Sequence, residues 1–279
     1  GSKDPRAIKD FLQRAKSNWK KAPRFVLLAG DASYDPRNFL GYGELDFVPT
    51  KLLDTAYLET ASDDWFVDFN EDGLPDMALG RLPVQTPAET SAMVAKIIAH
   101  EKSARLNEAL LVADKTEPTD DFDFAEAAQE VGALFPSTVG LRKVFRGEYG
   151  SDAQAREALL IYLGQGSLVV NYIGHGGMME WRGNLFNAED AEALPNAGRL
   201  PFYISMTCLN GFFQAPYGDT LAESLLKAEQ GGAVAVWTSS GMTEPAGQLK
   251  MNRELVRQLF NGEDLTIGEA AMKAKAATS

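Results

Sequence analysis

The sequence predicts an α/β fold with a mostly parallel sheet that is covered by helices on both faces. Short apolar runs alternate along the chain with longer segments of helical periodicity. The apolar runs lack the alternation of apolar and polar residues that marks a sheet with one face in water. Hydrophobic residues make up 45% of the 279 residues and charged residues 24%, a composition typical of globular domains.

Each predicted strand is a short apolar run bounded by small or polar residues, and a segment with helical spacing follows most of them. The helix at 87–105 has the clearest start, because Thr86 is a good N-cap and Pro87 suits the first helical turn. The predicted strands are 24–29, 108–113, 142–145, 167–173, 201–207 and 232–238. The predicted helices are 5–20, 87–105, 122–135, 151–163, 188–194, 219–229 and 247–261.

Residues 31–86 interrupt this alternation, because they are rich in Asp, Gly, Pro and aromatic side chains and are predicted to consist mainly of loops. We therefore predict an N-terminal helix at 1–22, which begins with a Gly-Ser pair typical of a tag remnant. An N-terminal α/β subdomain at 23–106 and a C-terminal α/β subdomain at 107–279 follow, and both are expected to share one continuous or closely packed sheet. The Ala-rich end of the chain is predicted to fray.

Charge and composition exclude several classes of function. The chain has 27 basic and 39 acidic residues, a net charge of −12, which argues against a nucleic-acid partner. No apolar run approaches the roughly 18 residues that a membrane span needs, so no membrane insertion is expected. One cysteine and two histidines exclude an internal disulfide and a Cys/His zinc site.

The scarce residues point to catalysis at one edge of the sheet. Ligands of open parallel sheets bind beyond the carboxyl ends of the strands. His175 follows one predicted strand and Cys208 follows the next, so the imidazole and the thiol meet if these strands are neighbours. This is the arrangement for nucleophilic catalysis by a thiolate. The backbone N–H groups of Gly176 and Cys208 are candidates for an oxyanion hole. We interpret His100, on the helix at 87–105, as a solvated surface residue.

Two motifs then resemble the gingipain family of cysteine peptidases. They are NYIGHGG at 171–177 with a tryptophan at 181, and LPFYISMTCLNGFF at 200–213, with the histidine and the cysteine 33 residues apart. FVLLAGD at 25–31, ALGRLPV at 78–84 and GGAVAVWTSSG at 231–241 are also similar to family segments. The resemblance covers about residues 23–260. It implies a caspase-like fold, cysteine endopeptidase activity on a protein or peptide substrate, and a secreted or cell-surface location in a bacterium, with a signal peptide outside this sequence.

The resemblance also implies roles for individual residues. Cys208 is the expected nucleophile, His175 the expected general acid/base, and Gly176 lies beside the oxyanion hole. The acidic partner of the histidine is expected at Asp114 or Glu117, and the resemblance leaves both open. Substrate contacts are expected at Trp181, Ser239 and Asp123, the last near the position where arginine-specific members carry a carboxylate.

A second motif predicts a structural calcium site. Residues 68–76 read D-x-N-x-D-G-x-x-D, and calcium prefers six to eight oxygen ligands. The predicted ligands are Asp68, Asn70, Asp72, the Leu74 carbonyl and Asp76. The bidentate glutamate of an EF-hand is absent, since Leu79 occupies its position. The simpler interpretation is an Asp-rich surface turn.

Three other functions remain open from the sequence. The first is a transpeptidase, a sorting enzyme of a bacterial secretion system, which passes the acyl group to an amine instead of water. The second is an interaction module that keeps the fold without catalysis. The third is a calcium-dependent structural or adhesive domain. The paired His175 and Cys208 favour the peptidase over these alternatives.

Overall fold

The computed structural model of the protein describes residues 3–278, so the predicted tag remnant lies outside the described residues. The strands are β1 (Phe25–Ala29), β2 (Lys51–Asp54), β3 (Glu59–Ser62), β4 (Ala78–Leu82), β5 (Glu108–Ala113), β6 (Gly140–Phe145), β7 (Val169–Ile173), β8 (Glu180–Trp181), β9 (Phe186–Asn187), β10 (Phe202–Met206) and β11 (Ala235–Thr238). The α-helices are α1 (Pro5–Asn18), α2 (Pro87–Lys102), α3 (Phe124–Gly132), α4 (Asp152–Gln165), α5 (Ala188–Glu192), α6 (Leu221–Lys227), α7 (Pro245–Phe260) and α8 (Ile267–Ala276).

The central sheet has five strands in the order β11-β10-β7-β5-β6, and every neighbouring pair is parallel. Its two faces carry separate apolar cores. Phe124, Leu255 and Ala274 belong to the core on the side of α3, α7 and α8, whereas Leu159 and Leu225 belong to the core on the side of α4 and α6. The prediction of a parallel sheet covered on both faces is therefore confirmed.

The segment predicted as loops holds more regular structure than its composition suggested. β4 pairs in parallel with β1 in a second sheet, and β2 and β3 form an antiparallel hairpin. Residues 3–278 therefore hold four sheets, the five-stranded central sheet and three two-stranded sheets (β1–β4, β2–β3 and β8–β9), and not one continuous sheet. β4 escaped prediction because it carries a charged residue. Arg81 is accommodated because its guanidinium binds Asp63 at 2.7 Å and the carbonyl oxygens of Gly30 and Val48.

The prediction of a frayed C-terminal end is wrong. The Ala-rich segment forms α8, which begins with a capping box between Thr266 and Glu269. Ala270 and Ala274 are completely buried. Small side chains allow close packing here, and a Cβ atom at Gly268 would lie 2.9 Å from that of Ala78. Composition alone could not reveal that this helix packs on β4 and α7.

The sheet brings the ends of β7 and β10 to one edge, where Ile173 and Met206 are partners in the strand register. The division into subdomains at residue 106 remains a prediction. Among residues 3–278, no helix combines the length and the apolar character needed to cross a membrane.

Candidate active site

His175 and Cys208 each lie two residues beyond a paired strand end, because β7 and β10 are neighbours and Ile173 pairs with Met206. The N–H of Gly174 donates to the carbonyl of Met206 at 3.3 Å, so the pairing continues almost to the two side chains. The strand adjacency on which the sequence hypothesis depended is thus present. The imidazole and the thiol follow neighbouring strands at the same edge.

Sharp turns follow both strands and depend on local backbone conformation. A Cβ atom at position 174 would lie 2.4 Å from the Cβ of Asp114, so the approach of the two segments requires glycine. After the cysteine, Leu209 has a φ of 60°, a left-handed conformation that costs free energy in a non-glycine residue. The N–H of Asn210 donates to the Cys208 carbonyl at 2.8 Å across this turn. The chain therefore turns away immediately after Cys208.

The sulfur of Cys208 is held by Thr243. The backbone N–H of Thr243 donates to Sγ at 3.4 Å, and the Thr243 hydroxyl lies 3.6 Å from Sγ. The Thr243 carbonyl lies 3.7 Å away and can accept from the thiol. Within residues 3–278, the hydrogen bonds of this sulfur go to Thr243 and not to the imidazole. Sequence reasoning missed this residue because it lies 35 positions away, on the loop after β11.

The N-terminal hairpin β2–β3 supports the loop that carries Thr243. The Ser240 hydroxyl donates to the Ala61 carbonyl at 2.7 Å, and the Thr60 hydroxyl donates to the Ser240 carbonyl. The Tyr57 hydroxyl bonds to the carboxylate of Glu244. The loop that contacts the thiol is therefore supported by residues that are about 180 positions away in the sequence.

The imidazole of His175 is paired with Asp120, whose Oδ1 lies 3.2 Å from Nε2. The other carboxylate oxygen of Asp120 accepts from Arg182 at 3.3 Å. The pKa of Asp120 is lowered, chiefly by the backbone N–H of Glu117 and further by the histidine and the arginine. The ring edge of Phe124 meets the imidazole at 5.1 Å between centroids. The His175 side chain is 43% exposed, so it is accessible to a substrate.

In this structure the carboxylate that pairs with the His175 ring belongs to Asp120, and not to Asp114 or Glu117 as the resemblance implies. Asp114 is buried, binds Arg146 at 2.8 Å, and accepts the backbone N–H of His175 at 3.2 Å instead of contacting its ring. Glu117 directs its carboxylate to Lys115 at 3.5 Å, and only its backbone reaches Asp120. The N–H of Asp120 donates to the Glu117 carbonyl at 2.9 Å and closes a turn. Sequence reasoning missed Asp120 because this turn places it several residues beyond the strand end.

Two backbone N–H groups remain available beside the pair. No acceptor within residues 3–278 takes the N–H of Gly176 or that of Cys208. Gly176 pairs with Trp181 in an isolated antiparallel bridge whose hydrogen bonds are made by the flanking residues. A Cβ atom at position 176 would lie 2.6 Å from Oγ1 of Thr207, so this approach also requires glycine. These groups fit the expected oxyanion hole.

The ring of Trp181 faces the core, so the structure gives no support to its predicted contact with substrate, which stays a prediction. Its ring is completely buried and stacks on Tyr172 at 4.0 Å between centroids. Its indole N–H donates to Oδ1 of Asn210 at 2.8 Å, while the amide of Asn210 donates to the Gly177 carbonyl at 2.6 Å. Trp181 and Asn210 thus join the loop after His175 to the loop after Cys208.

Ser239 and Asp123 have different surroundings. Ser239 lines a cavity of about 360 Å³ that also borders Thr243 and Glu244, and its predicted contact with substrate stays a prediction. Asp123 is exposed and caps α3, since its carboxylate accepts the N–H of Glu126 at 2.9 Å. Asp123 does not line this cavity, whose carboxylate belongs to Glu244, and the predicted contact of Asp123 with substrate stays a prediction.

The predicted calcium loop is closed by its own backbone. Asp68 accepts the N–H groups of Asp72 at 3.2 Å and Gly73 at 3.0 Å. Asp76 accepts the N–H of Phe69 at 2.8 Å. Within residues 3–278, no three His, Cys, Asp or Glu side chains are gathered as they would be around a metal ion. The carboxylates act here as an Asx-type scaffold for the turn, and calcium binding stays a prediction.

The model of peptidase family C25 matches residues 1–279. The chain belongs to this family. It is 24% identical over 283 residues to gingipain R2 and to gingipain R1 of Porphyromonas gingivalis. These matches cover 95% of the chain but 36% and 26% of the two relatives. The chain therefore spans about a third or less of the length of these curated relatives.

Solved structures show the same fold. The crystal structure of the Arg-specific cysteine proteinase gingipain R matches with a TM-score of 0.80 and 20% identity, over 98% of this chain and 62% of that one. The complex of the pro- and mature domains of Porphyromonas gingivalis RgpB matches with a TM-score of 0.80 and 19% identity, over 98% and 64%. The expectation of a caspase-like fold of the gingipain type is confirmed.

Proposed function

We propose that this chain is a cysteine peptidase that hydrolyses peptide bonds through Cys208, with His175 as general acid/base. The observation that carries the proposal is their position after the paired ends of β7 and β10, beside two backbone N–H groups that are free to bind an oxyanion. Membership of peptidase family C25 supports the same reaction class. The substrate is a protein or a peptide.

In the first half of the reaction, the Cys208 thiolate attacks the carbonyl carbon of the scissile bond. The electron pair of the carbonyl moves onto its oxygen, where the N–H groups of Gly176 and Cys208 stabilise the negative charge. As the intermediate collapses, the C–N bond breaks and the leaving amine takes a proton from the His175 imidazolium. The products are a free amine and a thioester on Cys208.

In the second half, water attacks the thioester carbon and gives a proton to the now neutral His175. The C–S bond breaks, so the carboxylic acid leaves and the thiolate is restored. Asp120 supports both halves, because its carboxylate stabilises the imidazolium and fixes the ring at Nε2. Thr243 supports the thiolate through its N–H and hydroxyl groups.

The experiment is cleavage of a mixed peptide library, read by mass spectrometry. The expected result is a set of hydrolysis products from the wild-type chain and none from Cys208→Ala or His175→Ala. A second set of reactions contains added small amines. Products extended by the amine identify a transpeptidase instead, and cleavage that survives in Cys208→Ala refutes the proposed nucleophile.

A calcium-stabilised fold and a location outside a bacterial cell complete the proposal. The spacing of Asp68, Asn70, Asp72 and Asp76 supports calcium, which would take oxygens that now accept backbone N–H groups. Weak calcium sites of this kind fill at the calcium concentrations found outside cells. Fractionation of the producing cells tests the location, since a cytoplasmic pool alone would contradict it.

A further inference from the structure

Three tyrosines and a methionine form a cluster, and we call Tyr34, Tyr42, Tyr217 and Met178 the aromatic patch. The rings of Tyr42 and Tyr217 lie 6.1 Å apart, and the Tyr217 hydroxyl lies 3.4 Å from the sulfur of Met178. Burial, and then the neighbouring Tyr217 and Tyr42, raise the pKa of Tyr34. Tyr42 and Tyr217 are more than half exposed.

Both catalytic loops lead directly to this patch. Met178 comes three residues after His175, so its Cα lies within about 11 Å of that of His175 along the chain. Tyr217 comes nine residues after Cys208, on the segment whose Gln214 carbonyl accepts the N–H of Tyr34 at 2.9 Å. The Met178 carbonyl accepts the N–H of Leu221 at 2.8 Å, which joins the two loops behind the patch. Met178 therefore connects the patch to the loop that carries His175, and Tyr217 connects it to the segment that follows Cys208.

An ordered turn beside the patch displays further apolar side chains to water. Asp35 accepts the N–H groups of Phe39 at 2.9 Å and Leu40 at 2.7 Å, and Asn38 adopts a φ of 54°. Phe39 is nevertheless 81% exposed. The two hydrogen bonds and the positive φ of Asn38 fix the conformation of this turn. Large exposed apolar surfaces of this kind mark binding sites.

We propose that the aromatic patch is a subsite that binds apolar side chains of the polypeptide substrate, a few residues from the scissile bond. The proposal rests on the proposed function and names its substrate class. Tyrosines suit this role, because they offer a flat apolar ring and a hydroxyl at little cost in conformational entropy. A peptide bound at Cys208 that continues past Met178 would meet the rings of Tyr217 and Tyr42, because the Tyr217 hydroxyl contacts Met178 and the two rings are neighbours.

The test measures peptide binding by fluorescence anisotropy in the Cys208→Ala background, so that it does not depend on bond cleavage. The probes are one fluorescent peptide with leucine and phenylalanine around the central bond and a matched peptide with serine at those positions. The expected result is affinity for the apolar peptide at least about tenfold higher than for the serine peptide. Adding Tyr42→Ser and Tyr217→Ser abolishes this preference, whereas Tyr42→Phe and Tyr217→Phe retain it.

The chain provides a matched control on α1, where Phe11 and Trp19 form another exposed aromatic pair, 5.9 Å apart. Phe11→Ser with Trp19→Ser keeps the preference for the apolar peptide. Equal affinity for the two peptides overturns the subsite, and so does a preference that survives in the serine variants of Tyr42 and Tyr217. Peptide hydrolysis by the wild-type chain is measured separately. Its absence refutes the proposed function, while the binding result still decides the role of the patch.

Discussion

The sulfur of Cys208 lies 3.4 Å from the backbone nitrogen of Thr243, on a loop that the β2–β3 hairpin supports. The thiol is thus held by a residue that follows β11, while the imidazole of His175 is held by Asp120. Each member of the proposed pair has its own supporting group. Nucleophile and general acid/base can therefore be perturbed separately.

Loss of the Thr243 hydroxyl is expected to slow alkylation of Cys208. Thr243→Val keeps the shape of the side chain and the backbone N–H but removes one hydrogen bond to the thiolate. A hydrogen bond of about 1 kcal/mol corresponds to a rate reduced about fivefold. The measurement is the rate of iodoacetamide labelling by intact mass. Thr90→Val is the control, because its hydroxyl bonds only to the Thr86 carbonyl on α2. An unchanged rate in Thr243→Val would remove Thr243 from the mechanism.

The acidic partner of His175 can be identified by three matched substitutions. Asp120→Asn removes the charge that stabilises the imidazolium, and kcat/KM is expected to fall at least about tenfold. Glu117→Gln is expected to have a small effect, because that carboxylate faces Lys115. Asp123→Asn is expected to be neutral, because asparagine is also a good N-cap. A larger loss in Glu117→Gln than in Asp120→Asn would reverse the assignment.

Stability is expected to fall at alkaline pH because of Glu223. Burial, and then the neighbouring Asp31, raises the pKa of Glu223 to about 8. The folded state therefore binds this proton more tightly than the unfolded state, so the stabilisation is complete below the ordinary pKa and is lost as pH rises through about 8. Two other charged groups also face the Glu223 carboxyl. Lys227, whose ammonium lies 3.6 Å away, lowers its pKa, and Asp219 raises it.

The measurement for Glu223 is the melting temperature as a function of pH. Glu223→Gln keeps an oxygen for the hydrogen bonds from Thr220 but does not titrate. Between about pH 6 and about pH 9, the melting temperature of the wild-type chain should fall more than that of Glu223→Gln. Parallel curves would show that Glu223 is not the group responsible.

Calcium is expected to raise the melting temperature if the loop at residues 68–76 binds it, because a ligand of the folded state alone stabilises that state. Titration calorimetry with calcium chloride gives the affinity. Melting curves with calcium and with chelator show how much calcium binding stabilises the folded state. Asp68→Asn with Asp76→Asn should abolish both effects, since they remove two charges but keep oxygen acceptors for the turn. Equal melting temperatures with calcium and with chelator would leave the loop as the self-capped turn that the hydrogen bonds describe.

The sequence predicts the elements and positions that follow from local pattern. Apolar runs identify the five strands of the central sheet, and the rule that parallel strands meet at their carboxyl ends brings His175 and Cys208 together. Thr86 caps α2 as the sequence predicts, because capping depends on residues within one turn.

The parts that escape prediction depend on contacts between distant segments. Asp120 reaches the imidazole across a turn, and Thr243 reaches the sulfur from another strand. Trp181 is only six positions from His175 in the sequence, yet its ring stacks on Tyr172 in the core. A local sequence pattern does not tell whether an aromatic residue in a loop faces the core or the solvent, because packing against distant parts of the chain decides this.

Trapping of Cys208 by a peptide-based electrophile tests the central claim most directly. Intact-mass analysis should show one added group on the folded wild-type chain and none on Cys208→Ala. The labelling rate should exceed that of the same cysteine in the unfolded chain at least about tenfold, and His175→Ala should remove most of that advantage. A folded chain that reacts no faster than the unfolded one would contradict the assignment of Cys208 as an activated nucleophile.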